Sequence, residues 1–137
     1  MDRRTFIASA TALGLIPTVS FAAGPIEYKP GLVKNLLSQG ETVFIRFYTN
    51  WCSTCARQDR VINALRGENP IYDEKLTYVE VDWDVHRGSN LSRELNIPRR
   101  STLVVLKGDD ELGRIVAGTG VDDIRSLLDT AVAAATA

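Results

Sequence analysis

Thr42-Val43-Phe44-Ile45-Arg46-Phe47-Tyr48 leads through Thr49 and Asn50 into Trp51-Cys52-Ser53-Thr54-Cys55, and the reading of the whole chain turns on this stretch. Its first seven residues are β-branched and aromatic apart from Arg46, which suits a buried strand. Beyond the cysteines, Val61, Ile62 and Leu65 recur at helical spacing with polar residues between them. The only two cysteines of the chain therefore stand where a strand turns into a helix. A helix N-terminus offers unpaired amide N–H groups and the positive end of a dipole, and both stabilise a thiolate on the first sulfur. The two intervening residues carry the second sulfur one turn further in, within reach of a mixed disulfide formed on the first. A Cys-x-x-Cys in this setting reads as a dithiol/disulfide redox switch. Two unreactive thiols or half of a zinc site are the competing readings. Zinc asks for about four ligands, and His86 is the one further soft ligand in the sequence.

Outward from this stretch the pattern is regular. Leu32, Val33, Leu36 and Leu37 follow a helical period that ends at Gly40, after an exposed lead over Ala23 to Pro30. Gly67 and Pro70 interrupt the helix that the cysteines open. Leu76 to Asp82 is predicted as a second strand, Ser89 as the cap of a helix reaching Leu95, and Thr102 to Lys107 as a third strand. Gly108-Asp109-Asp110 turns that strand into a hairpin partner over Leu112 to Ala117. Asp122 is predicted to cap a last helix carrying Ile124, Leu127, Leu128 and Ala131. The order α-β-α-β-α-β-β-α predicts an α/β fold with a central mixed sheet of about four strands and helices on both faces. His86 falls in an exposed loop on this reading, with a surface rather than a catalytic role.

The chain's first residues follow a different logic. Asp2-Arg3-Arg4-Thr5-Phe6 precedes a weakly apolar run from Ile7 to Val19, and Ser20-Phe21-Ala22 places small residues where a signal peptidase reads them. Residues 1–22 are thus expected to be a secretory signal of twin-arginine type, and residues 23–137 a single domain. The apolar run contains Pro17 and is shorter than the roughly 20 residues that span a bilayer, which argues against an uncleaved anchor or stable membrane insertion. Cleavage after Ala22 leaves 115 residues and removes two arginines and one aspartate, taking the formal charge from −1 to −2. That balance gives no reason to expect nucleic acid or an anionic membrane as a partner. An exported location, periplasmic or equivalent, is one where disulfides persist. A loop closed by cysteines three apart is too small to be a useful staple, so chemistry is the better reading of the pair.

Strand, Trp51-Cys52-x-x-Cys55, helix and a β-α-β-β-α tail together resemble the thioredoxin family, over about Gly31 to Ala134. Ser101-Thr102-Leu103-Val104-Val105-Leu106-Lys107-Gly108 resembles the loop and strand that pack beside the disulfide in that family. The resemblance implies a protein disulfide oxidoreductase without a small cofactor, its redox group being the Cys52–Cys55 disulfide. It implies Cys52 as exposed nucleophile, Cys55 as buried resolving thiol and Trp51 as a shield on one side of the sulfurs. Implied partners are protein disulfides and, in an oxidising compartment, a membrane electron relay that restores the dithiol.

Three positions depart from the family's pattern. Ser101 stands where a cis-proline is usual, with Pro98 three residues earlier. The Arg100–Ser101 bond is accordingly expected to be trans, or cis under strain, and the Ser101 hydroxyl is placed to donate to a thiolate. Arg46 occupies the place of a buried carboxylate six residues before Cys52, and Glu80 that of the family's lysine on the neighbouring strand. If both lie under the sheet near Cys55 they should pair, and Glu80 would then serve as the acceptor of the Cys55 proton. The alternative is that both reach solvent at a strand edge. Arg57, Arg60, Arg99 and Arg100 are candidates for positive charge around the sulfurs, with Arg99 and Arg100 on the substrate-docking loop. A disulfide donor or isomerase of the same fold remains an alternative, although 115 residues leave no room for the helical subdomain of the familiar exported donors. A thiol-based metallochaperone or binding module is the other.

Overall fold

The computed structural model describes residues 24–137, so the signal expected over residues 1–22 lies outside the described residues. In chain order the elements are β1 (Ile26–Glu27), α1 (Leu32–Ser38), β2 (Thr42–Tyr48), α2 (Ser53–Glu68), α3 (Ile71–Lys75), β3 (Thr77–Asp82), α4 (Trp83–His86), α5 (Asn90–Glu94), β4 (Thr102–Lys107), β5 (Asp110–Val116) and α6 (Val121–Ala135). They form a five-stranded sheet in the order β1-β3-β2-β4-β5. β1 and β2 run parallel to β3, while β4 lies antiparallel to both β2 and β5. No described helix is long and apolar enough to cross a membrane.

Strand alternation sorts the core into two layers. Val43, Ile45 and Phe47 face one side with Val79, Val81, Val104 and Val33. Phe44 faces the other, with Tyr78, Leu103 and the apolar stripes of α2 and α6, among them Ile62, Leu65, Ile124 and Leu128. Because side chains alternate along a strand, Arg46 projects to the α2 side, two residues on from Phe44. β2 is the central strand, hydrogen-bonded on both edges, and its end feeds the cysteine turn. That connection fixes where the sulfurs sit.

Several expected boundaries are corrected. The exposed lead contains β1, whose two residues pair with Val79 and Glu80 and give the sheet a fifth strand. Two residues carry no periodicity of their own; the open edge of β3 recruits them. The interruption at Gly67 and Pro70 is followed by α3, started by Pro70 and held by Tyr72, whose hydroxyl donates to Asp129 Oδ1 at 2.5 Å. The cap of α6 is Gly120, without a side-chain bond, and Asp122 sits in the first turn, where a carboxylate favours the helix dipole. His86 is not in a loop. It ends α4, half-buried, with its ring edge-on to Tyr28 at 4.9 Å.

Candidate active site

Cys52 is the N-cap of α2, with an extended backbone, and its sulfur accepts the Cys55 N–H at 3.1 Å. Cys55 lies in the first turn. Both are free thiols, 5% and 1% exposed respectively. The expectation of an exposed nucleophile over a buried partner is therefore corrected in degree: Cys52 is the more accessible of two largely covered sulfurs. What covers them includes the loop before β4. Ser101 is itself fully buried, and its Oγ lies 3.2 Å from Cys52 Sγ and 3.1 Å from Cys55 Sγ.

A single hydroxyl hydrogen can serve one sulfur at a time. Burial alone would push the Cys52 thiol up, but the neighbouring Cys55 thiol, the Ser101 hydroxyl, the Cys55 amide and the Arg100 guanidinium outweigh it and bring the pKa down to about 6. Burial pushes Cys55 up, as does its bond to Cys52; Ser101 and the Thr49 backbone pull the other way without prevailing. The arrangement consistent with both has the Cys55 S–H and the Ser101 O–H turned toward the Cys52 thiolate. One cysteine is poised as a nucleophile and the other is held protonated.

Ser101 holds this place through its main chain. The Arg100–Ser101 bond is trans, since no peptide among the described residues is cis, and Ser101 takes φ 64°, in the left-handed region. Its N–H donates to Phe47 O at 2.7 Å, and its carbonyl accepts the Ala117 N–H at 2.7 Å. Pro98 is exposed, three residues away from the sulfurs' hydroxyl partner.

Arg46 and Glu80 are brought together. They are partners in the β2–β3 register, and Glu80 Oε2 accepts from Arg46 Nη2 at 2.8 Å and Nε at 3.2 Å. Their side chains are 12% and 22% exposed. Asp59, on α2 one turn beyond Cys55, adds a second carboxylate at 3.6 Å from Arg46 Nε, and the guanidinium lies 4.6 Å from the Tyr48 ring centre. No described hydrogen bond joins Glu80 directly to either sulfur, and burial, Cys52, Ser101 and the Thr49 backbone act on the Cys55 pKa. Glu80 faces Arg46, because two charges on adjacent strands satisfy each other before either can reach along the strand.

Trp51 is 63% exposed, its Nε1–H donating to Asp84 Oδ2 at 2.8 Å, with the Arg100 guanidinium 4.3 Å from its ring centre. The indole is thus pinned at an exposed rim between an acid and a base. Arg99 Nε donates to the Arg100 carbonyl at 3.0 Å. Arg57 and Arg60 point to solvent on α2, and neither is among the groups acting on the sulfurs. Among the described residues, no three or more His, Cys, Asp or Glu gather where they could hold a metal ion.

Sequence reasoning missed Gln58, Asp59 and Asp84. Gln58 had a signal: with Cys55, Ile62 and Leu65 it falls on one stripe of α2, and all four are buried. Asp59 and Asp84 had none, because their partners Arg46 and Trp51 come from elements the sequence alone cannot orient.

The sequence matches the thioredoxin family over residues 29–130. This chain belongs to the thioredoxin family. Solved structures of similar fold include Trxlp of Edwardsiella tarda (23% identity, 74% of this chain and 96% of that one, TM-score 0.65). The thioredoxin of Schistosoma mansoni is similar at 22% identity over 80% and 97% of the two chains, TM-score 0.63. A mutant thioredoxin of Halobacterium salinarum is similar at 18% identity over 85% and 96%, TM-score 0.66. At such identities the likeness speaks for the fold. Family membership and the paired sulfurs at the head of α2 make this thioredoxin-family chain a thiol–disulfide oxidoreductase.

Proposed function

We propose that the protein reduces disulfides of exported proteins, with Cys52 attacking and Cys55 resolving. The observation that carries the order of attack is the asymmetry of the pair: Cys52 caps α2, its sulfur accepting the Cys55 N–H at 3.1 Å and lying 3.2 Å from Ser101 Oγ, and is drawn down to about 6, while burial pushes its neighbour three residues on up. At neutral pH the Cys52 thiolate attacks one sulfur of a substrate disulfide, forming a mixed disulfide and releasing the other substrate sulfur as a thiolate. Cys55 then gives up its proton and attacks Cys52 Sγ. The second substrate thiolate leaves and the Cys52–Cys55 disulfide forms. The substrate gains two electrons and takes up two protons, one from Cys55 and one from solvent; the protein, its Cys52 already a thiolate, loses two electrons and one proton. Ser101 Oγ, in contact with both sulfurs, supports the Cys52 thiolate in the first step and can turn its O–H to the Cys55 sulfur in the second, as the Cys55 proton passes to the released substrate thiolate.

Trp51 and Arg100 form the rim that meets the substrate, and Arg99 orders the loop behind them. The N-terminal signal pattern supports export by the twin-arginine route to the periplasm or its equivalent. There the two electrons must be returned from across the membrane, so a membrane electron relay is the reductant in this reading. No nucleic acid and no resident cofactor enters the cycle.

Insulin reduction, with the mixed disulfide trapped in cysteine variants, is the test. Cys55→Ser should accumulate a covalent adduct with a protein disulfide and Cys52→Ser should not. Trapping by Cys52→Ser alone would reverse the order of attack, and absence of reduction by the wild-type dithiol would reject the direction.

A further inference from the structure

Gln58 is fully buried on α2, three residues beyond Cys55 and on the same stripe. An apolar residue would pack there without the penalty of about 1–3 kcal/mol that an unsatisfied buried amide carries. Half of this amide is satisfied. Nε2 donates to two main-chain carbonyls, Ser101 O at 3.0 Å and Gly118 O at 2.9 Å. The other half is not, for Oε1 is buried without a partner. A side chain that leaves its own oxygen unpaired is a poor choice for stability alone.

Both carbonyls belong to unusual turns. Ser101 and Ala117 each take φ 64°, a region that costs a residue with a Cβ about 1–2 kcal/mol. The turns are joined by the Ala117 N–H to Ser101 O bond, and Gln58 ties the pair to the helix that carries Cys55. A proline ring restricts its own φ; a serine at positive φ is held only by what it bonds. With the Ser101 N–H fixed to Phe47 O and its carbonyl fixed by Ala117 and Gln58, the backbone is set from which Oγ reaches both sulfurs.

We propose that Gln58 is a positioning residue of the redox site, which holds the Ser101 hydroxyl against Cys52 and Cys55 and thereby sets the reactivity of the nucleophile. The proposal rests on the oxidoreductase reading of the cysteine pair. Gln58 touches neither sulfur in any described hydrogen bond; it acts through Ser101.

The test is a double-mutant cycle on the reduced full chain, read as the pH midpoint of Cys52 alkylation. Gln58→Met keeps length and apolar bulk but removes both donors; Ser101→Ala removes the hydroxyl. From a wild-type midpoint of about 6, Ser101→Ala should move upward by about one pH unit, the effect of one hydrogen bond to a charged group. Gln58→Met should move upward by about half of that or more, and the double variant no further than Ser101→Ala. An unchanged midpoint in Gln58→Met, with only a lowered melting temperature, means a structural role and overturns the proposal; so do shifts that add in the double variant. The wild-type protein gives a second measurement if Gln58→Met does not fold. Its Gln58 side-chain amide resonances should titrate with the Cys52 midpoint and lose most of that response in Ser101→Ala. An equal response in the two proteins also overturns it. Loss of insulin reduction by wild type would reject the underlying reading instead, since the alkylation cycle does not depend on turnover.

Discussion

Replacing Arg46 should reveal a three-membered charge cluster rather than a simple pair. Arg46 bonds Glu80 at 2.8 and 3.2 Å, stands 3.6 Å from Asp59 and covers the Tyr48 ring at 4.6 Å. Removing one partner of a fully buried ion pair costs about 3–5 kcal/mol. With side chains 12% and 22% exposed, solvent screens part of that, and Arg46→Met is expected to cost about 2–3 kcal/mol, including about 0.5 kcal/mol of cation–π attraction. Glu80→Gln should cost about 1 kcal/mol, because Asp59 still faces the arginine. Arg46→Asp is the worst single change, since it sets a third carboxylate beside Glu80 and Asp59. Adding Glu80→Lys should recover part of the loss but not all, because Asp59 then faces the introduced aspartate. Urea denaturation at constant m-value measures each term. If Arg46→Asp and Glu80→Lys combine additively to within about 0.5 kcal/mol, the two charges are uncoupled and the account of the cluster is wrong.

Two further outcomes follow from the same geometry. The folded Cys52 pKa of about 6 lies below the ordinary thiol value of 9.0, so its thiolate adds stability at high pH that is lost as pH falls from about 9 through about 6. Cys55, shifted upward, adds stability below 9.0 that is lost as pH rises further. The stability of reduced wild type relative to Cys52→Ser should therefore grow between pH values of about 6 and 9.0, and a flat difference across that window would refute the shift. Arg100→Gln should raise the Cys52 alkylation midpoint by less than Ser101→Ala does, because the guanidinium is the weaker of the two influences; a larger rise would make Arg100 the main support of the thiolate.

Much of the frame was legible because it rests on repeated signals. The run Thr42 to Tyr48 and the stripe of Val61, Ile62 and Leu65 each repeat a pattern over several residues, and the helix N-terminus at Cys52 follows from their junction. Short elements were not legible. β1 has two residues and exists because β3 offers an edge, while α3 is stabilised by Tyr72 against α6, a contact 57 residues distant in sequence. Ser101 could be singled out from its position relative to Thr102-Leu103, yet its contact with both sulfurs depends on a left-handed backbone that Gln58, Phe47 and Ala117 hold together.

The sequence alone determined the chemistry on offer: two thiols three residues apart at the head of a helix, and a cation and an anion on strands that could be neighbours. The thiols follow from chain-local periodicity and spacing, and the two charges from the resemblance to the thioredoxin family. The tertiary structure decided how the thiols differ and where the charges point. Cys52 is acidic and Cys55 is not because residues from separate segments converge on them, and Glu80 turns to Arg46 because the parallel register of β2 and β3 sets the two side by side. Such convergence is a property of packing, which no stretch of chain carries by itself.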